Sequence, residues 1–191
     1  MKKVSLSTIV ITVVAIMVSG MIGGYRKEGL GDFRKSARVG QKIELDAKQW
    51  VRPRSITMGQ YAVAPKLGKK QMISPDRFVS IEIDTGTPVR KELSGLGCRV
   101  ESPGGHVSYP VADDIRLPPA GFRTTGTVIF EMAKEHLAGA ELICRPGSVI
   151  YYREPLLVVD LGVSKKDLDR AWDESAYRKV KWQEYSLEVH R

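Results

Sequence analysis

The stretch GTVIFEMAKEHLAGAELICR, Gly126 to Arg145, gathers Glu131, Glu135, His136 and Cys144. A thiol beside a histidine makes a nucleophile, and histidine with carboxylates makes a proton-transfer pair or a metal site. The spacing speaks against each. His136 lacks a second histidine at the distance an HExxH zinc site needs, and His106 and His190 stand far from it in sequence. Val128 and Phe130 alternate, so Glu131 takes the opposite, solvent face of a strand. Leu142 and Cys144 also alternate, which turns the thiol inward. Glu135 and His136 fall in a one-turn excursion that ends at Gly139. A reactive cysteine needs a base within reach and electropositive surroundings, and an inward position on an apolar strand offers neither. The expectation is a chain with no catalytic residues, no metal ligands and no cofactor.

Other motifs fare no better. The basic run around Lys66, Lys69 and Lys70 has no interleaved aromatic residue, so nucleic acid is not an expected partner. Asp113-Asp114 lacks further oxygen ligands at calcium-binding spacing. Trp50, Trp172 and Trp182 each alternate with apolar residues and read as packing residues.

The two cysteines, Cys98 and Cys144, belong to no CxxC motif. Both fall on strand-like runs with inward neighbours. In an oxidising compartment they form a disulfide across 46 positions. Closing a loop of that size stabilises by about 4 kcal/mol in the chain-entropy model. In a reducing compartment they are two buried thiols.

Compartment is therefore decided at the N-terminus. Lys2 and Lys3 precede Val4 to Ile22, 19 residues without a charge. At 1.5 Å per residue such a helix nearly crosses a hydrocarbon core of roughly 30 Å. Residues 1–24 read as a signal anchor or a signal peptide, with a candidate cleavage site at Val18-Ser19-Gly20. The length of the run favours the anchor. Arg26, Lys27, Arg34, Lys35 and Arg38 follow it, and the positive-inside count alone places the body in the cytoplasm. The three-residue N-terminal tail favours the opposite orientation, with the body exported. The expected location is a single-pass membrane protein with an extracytoplasmic C-terminal domain, or a secreted one after cleavage.

Residues 25–40 are polar, basic and glycine-containing, and read as a juxtamembrane linker. From Gln41 onward the apolar period is two. Val79, Ile81 and Ile83 alternate with Ser80, Glu82 and Asp84, a half-buried strand. Residues 64–76, with three lysines, two prolines and a glycine, read as a basic loop. Cys98 to Tyr109 reads as a hairpin turning at Pro103-Gly104-Gly105. Strand-like runs follow at 126–132, 140–145, 148–152 and 154–162. Ser164 with Asp167 three residues on starts a short helix, and alternation returns at Val180/Trp182 and Tyr185/Leu187/Val189. Short strands separated by Pro and Gly turns predict an all-β, immunoglobulin-like antiparallel β-sandwich over 41–162. The short helix and a final strand or tail fill 163–191, and one N-terminal transmembrane helix precedes the whole.

The pieces RVGQKIELDAKQWVR, FVSIEIDTGTPV, CRVESPGG, TTGTVIFEMAKEHLAGAELIC and LLVVDLG, in this order over most of 38–162, resemble a known family. It comprises telokin-like, immunoglobulin-fold domains of unknown function in secreted or membrane-anchored proteins of Gram-positive bacteria, actinobacteria especially. The chain departs from that pattern at Asp84-Thr85-Gly86, where the family has an Asn-Thr pair, and in the tail from 163. The resemblance implies a fold and an extracytoplasmic setting, and supplies no catalytic residue.

Net charge is +8, of which Lys2 and Lys3 supply two, so the remainder carries +6. A basic body next to a membrane favours anionic partners. Arg34, Lys35, Arg38, Lys66, Lys69 and Lys70 are the expected contacts to an anionic envelope polymer or another envelope protein, with the membrane itself engaged through residues 4–22. The expected function is a non-enzymatic, membrane-tethered β-sandwich for binding or envelope-assembly support. The alternatives are a pilin-like or secretion-apparatus component, or an accessory to an envelope enzyme.

Overall fold

The computed structural model describes residues 34–44, 49–63, 71–87, 96–146, 156–183 and 186–189. The apolar segment 4–22, the lysines at 66, 69 and 70, and the run 148–152 lie outside the described residues. Among the described residues no helix is long and apolar enough to cross a membrane.

The strands are β1 (Arg34–Arg38), β2 (Ile43–Glu44), β3 (Trp50–Val63), β4 (Gln71–Thr87), β5 (Leu96–Glu101), β6 (Val107–Ser108), β7 (Pro110–Asp113), β8 (Phe122–Met132), β9 (Glu141–Pro146), β10 (Leu156–Asp160), β11 (Lys179–Lys181) and β12 (Ser186–Val189). One helix, α1 (Lys165–Glu174), and a single 3-10 turn (Lys134–His136) complete the described elements. They form two sheets: a small one in the order β1-β10-β9-β5-β6, and a seven-stranded one in the order β11-β3-β4-β8-β12, with β2 added to β3 and β7 to β8. The all-β sandwich is thus present. Its pairing is antiparallel except at two edges, where β1 lies parallel to β10 and β11 parallel to β3.

The period-two pattern explains the core. Val79, Ile81 and Ile83 of β4 and Val128 and Phe130 of β8 face inward. They meet Leu96, Cys98 and Val100 of β5, Leu142 and Cys144 of β9, and Leu157 and Val159 of β10. Burying one such aliphatic or aromatic side chain contributes about 1.5–3 kcal/mol. Leu168 of α1 joins the same cluster, so the helix closes one side of the sandwich. Its start follows the sequence reading: the Ser164 side chain accepts from the Asp167 amide at 3.2 Å.

Three elements differ from the sequence reading. The stretch 34–38, expected within a linker, is an edge strand whose five residues pair with Leu156–Asp160. Its sequence RKSAR has no apolar alternation, and only Ala37 reaches the core. Backbone pairing rather than burial makes it a strand. The supposed basic loop over 64–76 contains the first residues of β4, which begins at Gln71. Pro75 had argued against a strand there, but it falls in a register shift, with Gly59 opposite Phe78 and Tyr61 opposite Ile73. A proline inside such an irregularity withholds no ladder bond. The final alternation is two strands, β11 and β12, at opposite edges of the large sheet.

The irregularity is anchored from outside. Gln60 and Tyr61 donate their amides to the carbonyls of Ser175 and Arg178, just past α1. Arg77, nearly buried, donates from Nε to Ser175 Oγ at 3.0 Å and from Nη2 to the Trp172 carbonyl at 3.4 Å. Its guanidinium lies 4.4 Å from the Trp172 ring centroid. A cation at the carbonyl end of a helix is favourably placed in the helix field, and the indole face adds to it. At the other end of β4, Gly86 stands opposite Trp50. A β-carbon on Gly86 would come within 2.6 Å of Trp50 Nε1, so only glycine lets the indole lie flat on the sheet.

Candidate binding groove on the large sheet

The residues that opened the sequence reading disperse over the fold. Glu131 is exposed on the outer face of β8, where the Ser74 hydroxyl bonds its carboxylate. Cys144 is fully buried and forms a disulfide with Cys98. The two cysteines are direct cross-strand partners on β5 and β9, so the bridge staples neighbouring strands of the small sheet. Glu135 lies exposed in the 3-10 turn.

His136 holds a surprise. The hairpin tip at Pro103–His106 folds over the 3-10 turn, with Ser102 Oγ donating to the His136 carbonyl at 2.7 Å. This stacks the rings of His106 and His136, with centroids 3.9 Å apart and planes 7° from parallel. Thirty residues separate the two in sequence, and nothing in either segment marks the other as its neighbour. Among the described residues no group of three or more His, Cys, Asp or Glu side chains could hold a metal ion.

The basic candidates fall on two parts of the chain. Arg34 and Arg38 are exposed on β1, whereas Lys35 is half-buried and donates to the Glu44 carbonyl at 2.6 Å. That bond fastens β1 to β2 and removes Lys35 from the free surface. Lys66, Lys69 and Lys70 lie outside the described residues.

What the sequence reading missed is the outer face of the large sheet. There the register lines up polar residues from three strands. Thr57 stands beside Ser80, Ser55 beside Glu82, and Arg52 beside Asp84, while Thr127 and Thr125 of β8 stand beside Glu82 and Asp84. Asp84 is almost enclosed: Arg52 Nη2 donates to it at 2.5 Å and Thr125 Oγ1 at 2.8 Å. Glu82 accepts from Arg54 Nη1 at 3.2 Å and from Ser55 Oγ at 3.1 Å. Charge-assisted bonds of this kind fix the orientation of both carboxylates.

Between these rows and the β11 edge lies a groove of about 260 Å³. Ser55, Thr57, Ser80, Glu82 and Thr127 form its floor, and Lys179 and Gln183 stand along it. Ser80 and Thr127 are 7% and 2% exposed as residues, yet among the described residues their hydroxyls, and that of Thr57, bond to no protein group. Beside the groove the same sheet face turns apolar, with Phe78, Ile129, Ala62 and Val180 in a small cluster flanked by Trp182. The only hint in the sequence was the row of small polar residues alternating with the core positions of β3, β4 and β8.

Among the described residues no histidine lines the groove, and both oxygens of Glu82 are engaged. A serine or threonine hydroxyl without an adjacent base is a weak nucleophile. Comparison with protein-family models, with curated proteins and with solved structures finds no match to the chain.

Proposed function

We propose that the chain is a non-enzymatic extracytoplasmic β-sandwich domain, tethered to the membrane through residues 4–22, that binds an envelope component or supports an envelope assembly. The observation that carries this reading is the Cys98–Cys144 bridge. Disulfides form and persist in oxidising compartments and are rare in reducing ones. The uncharged run Val4 to Ile22 supports the same reading, since an apolar helix of that length can hold an exported body at the membrane.

The telokin-like, immunoglobulin-type kinship drawn from the sequence belongs to this proposal. The bridge here joins neighbours within one sheet, whereas antibody domains bridge across their two sheets. Partners remain within the anionic class: Arg34 and Arg38 expose their side chains on the β1 edge, and Lys66, Lys69 and Lys70 add charge to the β3–β4 connection. Such contacts weaken as salt rises.

The test is thiol labelling with a membrane-impermeant reagent, on intact cells and on lysates, before and after reduction. Labelling from outside only after reduction is the expected result. Labelling without reduction, and only in lysates, would place the body in the cytoplasm and overturn the reading.

A further inference from the structure

We infer that the groove on the large sheet is a binding subsite for one ring of an acidic saccharide, a polyhydroxylated unit carrying a carboxylate. The inference goes beyond the export reading and stands without it.

Ser80 and Thr127 place two hydroxyls in the lining of the groove. Each residue is more than nine-tenths buried, and among the described residues neither hydroxyl bonds a protein group. Neither is a fully buried unpaired atom, so both hydroxyls open into the groove, where solvent or a ligand meets them. With Thr57 they present three hydroxyls, each able to donate once and accept twice, on one rigid sheet face. Such a lining complements a ligand that itself carries several hydroxyls.

Charge narrows the class further. Glu82 is compensated by Arg54, so its remaining lone pairs accept ligand hydroxyls without imposing a net negative field. Among the described residues Lys179 has no hydrogen-bond or ion-pair partner. With the Glu82 carboxylate of the floor already paired to Arg54, the Lys179 ammonium favours an anionic group on the ligand. Size fits one ring: pockets for drug-sized ligands run about 300–1,000 Å³, and this groove holds about 260 Å³. The strand register, not a loop, sets the positions of Thr57, Ser80 and Thr127. A site on paired strands is preorganised, which lowers the ordering cost of binding.

The test uses the full chain in a polyoxyethylene detergent, which carries no sugar, with saturation-transfer NMR and titration calorimetry. The probes are glucuronate, glucose and acetate. Glucuronate is expected to bind, with glucose at least about tenfold weaker and acetate not at all. Thr127→Val keeps the side-chain shape and removes one hydroxyl; it should weaken glucuronate about tenfold. Lys179→Met, at an exposed position, should abolish the preference for glucuronate over glucose while leaving residual glucose binding unchanged. Acetate binding as strongly as glucuronate would reduce the site to a bare anion contact and overturn the inference. So would glucuronate binding untouched by either substitution, or no binding of either sugar to the folded chain. None of these outcomes bears on which side of the membrane the domain occupies, so the export reading is judged separately.

Discussion

The two sheets solve the same packing problem by different means. The large sheet is built on β3, β4 and β8, strands of 14, 17 and 11 residues that share long registers. Among the described residues no strand of the small sheet exceeds six residues. A short strand offers few ladder bonds to offset the entropy of ordering it. The small sheet adds a covalent staple, Cys98–Cys144, between its two central neighbours β5 and β9. The outer faces differ as well: Ile143, Leu156 and Val158 form a buried apolar stripe on the small sheet, whereas the large one carries hydroxyl and carboxylate rows beside its own apolar cluster around Phe78 and Ile129. Length gives the large sheet cohesion of its own, whereas the small sheet adds a cross-link and also buries apolar side chains on its outer face.

That contrast can be broken most severely where the sheets meet. Phe130 is fully buried in the shared core. Phe130→Ala is expected to cost about 3–5 kcal/mol, as truncating a buried phenylalanine does, with both sheets lost in one urea transition. Separate transitions would mean that the sheets do not share a core energetically. Removing the staple comes next. Cys98→Ser with Cys144→Ser, or full reduction, should cost about 2–5 kcal/mol. In hydrogen exchange β5, β9 and β10 should lose protection before β3, β4 and β8; uniform loss would defeat the contrast.

Arg77→Met tests how the large sheet holds α1. It removes the bonds to Ser175 Oγ and to the Trp172 carbonyl, and is expected to cost about 1–3 kcal/mol. Exchange should rise in α1 and at residues 175–178, with β5 and β9 unchanged. The smallest effect belongs to Asp169 on α1, 2.8 Å from the Lys134 ammonium. The hydrogen bond from Lys134, and then its charge, hold the Asp169 carboxyl below its ordinary value. A lowered folded-state pKa stabilises above the unfolded value of about 3.9 and is lost as pH falls through the folded one. The pair is exposed, so Asp169→Asn should leave the thermal midpoint at pH 7 unchanged within error, and any difference from the parent should vanish in acid.

Much of the architecture was legible because burial writes itself as alternation. Val79/Ile81/Ile83 and Val128/Phe130 point where period two puts them, and Ser164 caps its helix as its spacing announces. Trp50 and Trp172 pack rather than present a platform, as their apolar neighbours implied. β1 was illegible because its sequence carries no burial signal; β10 supplies the reason it is a strand. The start of β4 was hidden by a proline that sits in an irregularity the sequence does not display. The His106–His136 stack and the groove are harder still. Each depends on residues from separate segments meeting through a register, and hydroxyl-bearing residues on an outer face look the same in sequence whether or not they line a cleft.

One consequence of β1 is mechanical. β1 lies at the edge of the small sheet and holds to β10 through five consecutive residue pairs running parallel. A pull on the chain ahead of residue 34, directed along the strand, loads all those bonds together in shear. The same force directed across the sheet would open them one after another, as a zipper does. Resistance to force is set by the rate of such rupture and not by equilibrium stability. The orientation of β1 therefore gives this domain a strong direction and a weak one, and a tether attached at that end would feel the difference.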